Sequence, residues 1–315
     1  MSVSRVLVVG DANLDLVLRG DVVPRFGQAE QLLDGADLVL GSSAGIVAAG
    51  LARLGVATAL AARVGADLFG VRTRELLSAA GVDTSHVLSS PEPTGLSVIL
   101  SAPDDRAILT LVGAISALSD ADVQNAASAL EPAHVHVASF FLVPAVAAAL
   151  PARLESLRAA GMTTSLDTNW DPSGRWEGVR ECLAYLDVLL PNAAEAMALS
   201  RAIGDDPDDP EDAARRLAAR GPAVVVKDGS RGGFAVADGS LVRAPSRPVR
   251  VVDTTGAGDS FAAGFLAARL EGRPLADAVR WAVAAGSLST RGVGGTDGQP
   301  TRGELLAALG EGDSS

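Results

Sequence analysis

Val251-Val252-Asp253-Thr254-Thr255-Gly256-Ala257-Gly258-Asp259-Ser260-Phe261 is the stretch on which the reading of this chain turns. It opens with a β-branched pair expected to end a strand, turns through two glycines and enters an apolar run from Ala262 to Leu270. Phe261, Phe265 and Leu266 recur there at helical spacing. The pattern predicts strand, turn and helix, with Asp259 in the first helical turn. Glycines let the backbone turn tightly and leave amide N–H groups uncovered. At a helix N-terminus those amides and the dipole attract phosphate or developing negative charge. A carboxylate beside an anion hole makes sense when the hole holds a phosphoryl group and the acid faces the attacking hydroxyl.

Upstream, the chain supplies a sheet for that motif. Arg5–Val9 is a continuous apolar run ending in Gly10, as expected of a buried parallel strand. After Gly113 strands alternate with helices: strands at 134–139, 163–167, 188–190 and 223–227, helices at 143–161, 175–185, 193–200 and 212–219. Residues 234–237 and 241–243 predict a hairpin around Asp238-Gly239, and 41–55 and 69–80 predict helices flanking a strand at 57–62. Leu14, Leu16 and Leu18 alternate with Asp15, Val17 and Arg19, which suggests a strand with one wet face. Residues 94–100 and 107–112 bracket Pro103-Asp104-Asp105 as a second alternating hairpin. The fold class is therefore α/β, with a mostly parallel central sheet between two helical layers and a small β-sheet lid. The core takes residues 1–11, 38–92 and 114–315, and the lid 12–37 and 93–113.

Composition narrows the partners. The net charge of −12 argues against nucleic acid, and 48% hydrophobic residues allow a large core. The longest apolar stretch, Val135–Leu150, contains His136, Ser139 and Pro144 and falls short of a membrane span. Cys182 is the one cysteine, so no disulfide framework exists and a cytoplasmic location is expected. Lys227 is the only lysine among 26 basic residues. The acidic run 204–212 reads as a solvated loop before a helix N-terminus.

Other segments carry chemistry beside a blander reading. Asn192-Ala193-Ala194-Glu195 places an amide and a carboxylate on one helical face, suited to hydrated magnesium, yet the same spacing is a capping box. Gly229-Ser230-Arg231-Gly232-Gly233 brings backbone towards a nucleotide, or is a strand-exit turn. Asp11 and Asp15 fall beyond the carboxyl end of the first strand, where open α/β sheets bind ligands, and carboxylates hold polyols. No P-loop and no completed GxGxxG fingerprint is present. His86, His134 and His136 lack zinc spacing, and the latter two fit core packing. Ser139 has no nucleophile elbow.

Taken together and in this order, these pieces resemble the ribokinase-like, or PfkB, carbohydrate kinases over nearly the whole chain. DTTGAGDSFAAGF carries the resemblance most specifically, with GLARLG, VGADLFG, NAAE, KDGSRGG, GDANLDLVL and PRFGQ in support. The resemblance implies ATP with Mg2+, Asp259 as base, and Gly256, Ala257 and Gly258 as anion hole. It places Asn192 and Glu195 around magnesium through water, and Lys227, Gly229, Gly232, Thr254 and Gly258 at the nucleotide. Asn13, Asp15, Gly41, Ser42, Asn169 and Asp259 fall on the acceptor. Asp253, Thr255 and Thr296, in the loop from Gly292, match a monovalent-cation site such as one for potassium. Trp170 and Trp176 follow Asp167-Thr168-Asn169 and could stack on the acceptor. Two departures stand out: Ser42 replaces a usual glycine and Ile46 a substrate-binding asparagine, and isoleucine makes no hydrogen bond.

The implied reaction phosphorylates a hydroxyl, primary by preference, of a small sugar or sugar acid. Asp259 would be ionised, with an ordinary pKa of about 4. The lid would exclude water and pair two chains as a homodimer through its apolar outer face. A nucleoside or vitamin-alcohol kinase, and a catalytically weak sugar- or nucleotide-binding regulator, are the alternatives.

Overall fold

A computed structural model describes residues 5–28, 30–102 and 106–311. Among these, nine strands form the central sheet: β1 (Arg5–Val9), β4 (Ala57–Gly65), β5 (Val87–Ser90), β8 (His134–Val137), β9 (Thr163–Leu166), β10 (Val188–Leu189), β11 (Ala223–Lys227), β12 (Gly233–Ala237) and β13 (Ser240–Ala244). Their order is β13-β12-β11-β10-β9-β8-β1-β4-β5. Neighbours run parallel from β11 to β5, while β12 and β13 fold back antiparallel at the edge.

Successive residues of β1 serve opposite faces. Val6 and Val8 join the core under α1 (Ser43–Arg53), α2 (Leu68–Ala79), α7 (Ala257–Leu270), α8 (Leu275–Ser289) and α9 (Arg302–Leu309). Leu7 and Val9 join the core under α3 (Asp120–Leu130), α4 (Pro144–Ala159), α5 (Ala193–Ala202) and α6 (Pro210–Ala218). A parallel sheet buried on both faces needs continuous apolar strands, and full burial of each such side chain contributes about 1.5–3 kcal/mol.

The remaining strands, β2 (Asn13–Gly20), β3 (Leu33–Leu40), β6 (Gly95–Ser101) and β7 (Arg106–Leu111), make a separate sheet in the order β3-β2-β6-β7. Its alternation is used in an unexpected sense. Asn13, Asp15, Val17, Ser97 and Ile99 are buried on the inner face. Leu16 pairs with Leu38 and Val98, and Val98 with Leu109, on the outer face, where Leu38 is 41% and Leu109 60% exposed. Asn13, Asp15 and Ser97 thus point inward, while Leu38 and Leu109 face out. The expected turn Pro103-Asp104-Asp105 lies outside the described residues.

Two local expectations change. Val251-Val252 forms no strand: both residues are more than half exposed, and the Val252 N–H donates to the Thr290 carbonyl at 2.8 Å. Pro245 and Pro248, which lack an N–H, interrupt the approach to the motif. The helix expected over 175–185 is reduced to a 3-10 turn at Arg180–Tyr185, because Gly174 and Gly178 adopt φ of 69° and 89°.

Candidate active site

The N-terminus of α1 is the hub of the site. Asp11, just past β1, accepts hydrogen bonds from the Ser43 and Ala44 amides at 3.1 and 2.9 Å. Burial holds its pKa above the ordinary carboxylate range, against the opposing pull of those amides and of Ser139. Asp11 is therefore engaged as a clamp on the start of α1. Asp15 comes from the inner face of β2, where its Oδ1 accepts from Asn13 Nδ2 at 3.1 Å. Gly41 lies directly against the Asp15 carboxylate, with no room for a β-carbon.

Ser42 caps α1: its Oγ accepts from the Gly45 amide at 3.1 Å and donates to the Gly41 carbonyl at 2.5 Å. It does so at φ 68° and ψ 139°, backbone angles that disfavour any side chain. Such strain costs roughly 1–3 kcal/mol, whereas glycine as N-cap loses only a few tenths (about 0.3 kcal/mol). Ser42→Gly is expected to raise stability by about 1 kcal/mol after the extra freedom of glycine in the unfolded chain is deducted. A thermal melt shows this as a higher Tm, and a lower Tm would mean that the cap outweighs the strain. Ile46, one turn along α1 and 3% exposed, packs its side chain against Gly295 and Gly256. At the position of the absent asparagine stands a packing residue beneath the turn.

That turn is Gly256 at φ 70°, the left-handed N-cap of α7. A β-carbon there would come within 2.6 Å of Gly295 Cα, so glycine is required twice over. The Ala257 amide donates to the Thr254 carbonyl at 3.2 Å, which takes one of the three expected anion-hole donors into the turn itself. Asp253 ties the turn to a distant loop: Oδ1 accepts from Thr255 N and Oδ2 from Gly294 N, both at 2.9 Å. Thr296 lies in that loop, its carbonyl accepting from Gln299 N at 3.1 Å.

Asp259 follows in the first turn of α7, half-buried. Its Oδ1 accepts from the Ser43 hydroxyl at 2.5 Å, and Ser43 accepts from Asn169 Nδ2 at 3.1 Å. Burial, then the neighbouring Asp167 charge, raise its pKa to about 7, against the opposing pull of Lys227 and the Ser43 bond. The ordinary value of about 4 expected for a helix N-terminus does not hold in the unliganded chain, because desolvation among carboxylates outweighs the dipole. Ser43 was not foreseen: a serine in a small-residue turn gives no sign of a partner 216 residues away.

Lys227, the residue expected at the nucleotide, has its amine paired in the unliganded chain. Nζ stands 2.6 Å from Asp167 Oδ2. Desolvation lowers its pKa, yet Asp167, Glu195 and Asp259 more than reverse that and hold the ammonium charged. Gly258 packs against the lysine stem. Asn192 and Glu195 form the reciprocal capping box of α5, with bonds of 2.8 and 2.9 Å. The box uses Glu195 Oε2 and Asn192 Oδ1 and leaves the other carboxylate oxygen and the amide nitrogen outside it. Gly229 and Gly232 lie in the β11–β12 connection, where Gly232 at φ 97° meets the Ala244 carbonyl. Trp176 is 7% exposed and packs edge-to-face on Trp170 and Phe141, so it serves the core; Trp170 is 60% exposed. His134 and His136 are buried and share the Ser165 hydroxyl, and burial drives both pKa values down to about 3.

A cavity of about 960 Å³ opens at the opposite end of the strands, beside His134, Thr163, Val188 and Ala223. The polar side chains of Asp259, Ser43, Asn169, Asp167 and Lys227 converge at the other end, beyond the carboxyl ends of the strands. Among the described residues no helix is long and apolar enough to cross a membrane.

Comparison with known proteins identifies the family and the fold. The pfkB family carbohydrate kinase profile matches residues 3–302. An ATP-dependent ribose-1-phosphate kinase of Halopiger xanaduensis is 34% identical over 98% of both chains. A 2-dehydro-3-deoxygluconokinase of Bacillus subtilis is 31% identical over 84% of both. The structure of Arabidopsis thaliana ribokinase complexed with ribose and ATP superposes with a TM-score of 0.80 at 26% identity, covering 97% of this chain and 98% of that one. With its ribokinase-like three-layer fold and small second sheet, this chain belongs to the pfkB family of carbohydrate kinases.

Proposed function

We propose that the chain transfers the terminal phosphoryl group of ATP to a hydroxyl, primary by preference, of a small sugar or sugar acid. The observation that carries this reading is the placement of the Asp259 carboxylate in the first turn of α7, immediately after left-handed Gly256. An acid and an anion-accepting helix start there serve two partners of one reaction. Asp259 accepts the proton of the attacking hydroxyl. Gly258 and its neighbours at the helix start stabilise the charge on the moving phosphoryl group. Asn13, Asp15, Gly41, Ser42 and Asn169 border the acceptor, the first two brought from the inner face of the lid sheet. Thr254, Gly229 and Gly232 lie on the nucleotide side in this reading, and the lid excludes water when it closes.

The oxygen donors of the Asn192–Glu195 box suit a hard cation that keeps its waters. Magnesium there neutralises phosphate charge when bound. Both oxygens of Asp253 already accept backbone amides, so no step of this reaction is routed through a potassium ion at Asp253, Thr255 and Thr296.

The relatives named for a sugar phosphate and a sugar acid support the acceptor class. A coupled ADP-release screen across ketoses, aldoses, keto-deoxy acids, ribose 1-phosphate and nucleosides tests it. Release with a sugar or sugar acid is the expected result. Release with nucleosides alone would overturn the acceptor class, and release with none would favour a binding regulator.

We further propose that the outer lid face, with Leu16, Leu18, Leu38, Val98 and Leu109, pairs two chains in a cytoplasmic homodimer. An apolar surface of this kind marks an interaction site. Wild type should sediment as a dimer at micromolar concentration and Leu109→Asp as a monomer. A monomeric wild type would remove the proposal.

A further inference from the structure

One carboxylate oxygen of Asp259 is taken, and the bond that takes it is directed from outside. The Ser139 amide donates to Asn169 Oδ1 at 2.8 Å. A backbone amide can only donate, so the Asn169 oxygen faces it and the Asn169 nitrogen must face the other way. That nitrogen donates to Ser43 Oγ at 3.1 Å, and Ser43 spends its single hydrogen on Asp259 Oδ1 at 2.5 Å. Each link removes an ambiguity from the next. Ser139 and Asn169 both sit in the left-handed region, at φ 54° and 55°. Non-glycine residues persist there only where the surroundings determine them.

The other charged groups around Asp259 come from three directions: Asp167 beyond β9, Lys227 at the end of β11 and Asp11 beyond β1. Of the side chains named at this carboxylate, Ser43 is the one that supplies a hydrogen bond. We propose that Ser43 is a positioning residue which, steered by Asn169, occupies Oδ1 of Asp259 and so presents Oδ2 to the acceptor hydroxyl. The inference rests on Asp259 being the base of the proposed reaction.

A donated hydrogen bond favours the ionised carboxylate, so its loss must move the titration of this group upward. Carbon-13 labelling of the aspartate carboxyls in the full chain, with the Asp259 resonance identified by its absence in Asp259→Asn, reads that titration without any substrate. Ser43→Ala should raise the midpoint by about one pH unit or more. Ser43→Thr, which keeps the hydroxyl, should restore it. In the ADP-release assay the same alanine variant should lose kcat about tenfold near neutrality, with KM little changed, and regain it at higher pH. An unmoved midpoint in Ser43→Ala would overturn the positioning role and leave Asp259 as base. Wild-type turnover in Asp259→Asn would instead overturn the base itself, whatever Ser43 does.

Discussion

Asp259→Asn is expected to lower kcat by about 10²- to 10⁴-fold, the usual contribution of a positioned general base. ATP affinity should change little, because in the proposed reaction the carboxylate serves the acceptor hydroxyl. The same substitution should raise thermal stability near neutral pH. In the unfolded chain this carboxyl titrates near 3.8, and in the folded chain at about 7. Between those values the folded protein holds a proton that the unfolded chain has released. Stability is therefore lost as pH rises from about 4 to 7 and stays lost above that. Asparagine has no charge to bury, so the variant should melt above wild type at about pH 8, with the gap closing towards pH 4. In wild type, kcat/KM should climb as pH rises through about 7, since the free enzyme must release this proton to act as base. A flat profile across that range would separate Asp259 from the rate.

Lys227→Met has the second large effect, and it falls on stability first. Removing the ammonium leaves Asp167, which is fully buried, and the carboxylates of Glu195 and Asp259 without their cation. Breaking one partner of a buried pair costs roughly 3–5 kcal/mol, so a Tm lower by several degrees is expected. Turnover near neutral pH falls as well, because Lys227 pulls the Asp259 pKa down and its loss leaves less of the base ionised. Asp167→Asn added to Lys227→Met should recover part of the lost stability by removing the stranded charge. If the double variant is less stable than Lys227→Met alone, the pairing seen at 2.6 Å is not what holds the cluster.

Periodicity located most of the central sheet because its strands are short apolar runs that only burial explains. β5 and the helices α3, α8 and α9 escaped it. α3 does carry a capping box, Ser119 with Asp122, but its aspartate at the third position is a less familiar sign than glutamate. The candidate site was legible where its backbone is local, in the turn at Gly256 and the helix start that carries Asp259. Lys227 and Asp11 stand at the strand ends where they were expected, while their contacts in the unliganded fold, with Asp167 and with the Ser43 and Ala44 amides, were not foreseen. Strand ends fix where a side chain starts, and only the packed fold fixes what it meets. Ser43 shows the limit most plainly, since its three contacts come from Asp11, Asn169 and Asp259.

The ion cluster around Lys227 has a practical side. In a chain of 315 residues with a single lysine, the surface offers no side-chain ammonium to an acylating or reductively methylating reagent. Labelling at a lysine must then compete with the contact to Asp167. The rate of modification becomes a clock for the breaking of that ion pair. Once methylated with carbon-13, that one amine is a lone spectroscopic reporter standing among the carboxylates of the site.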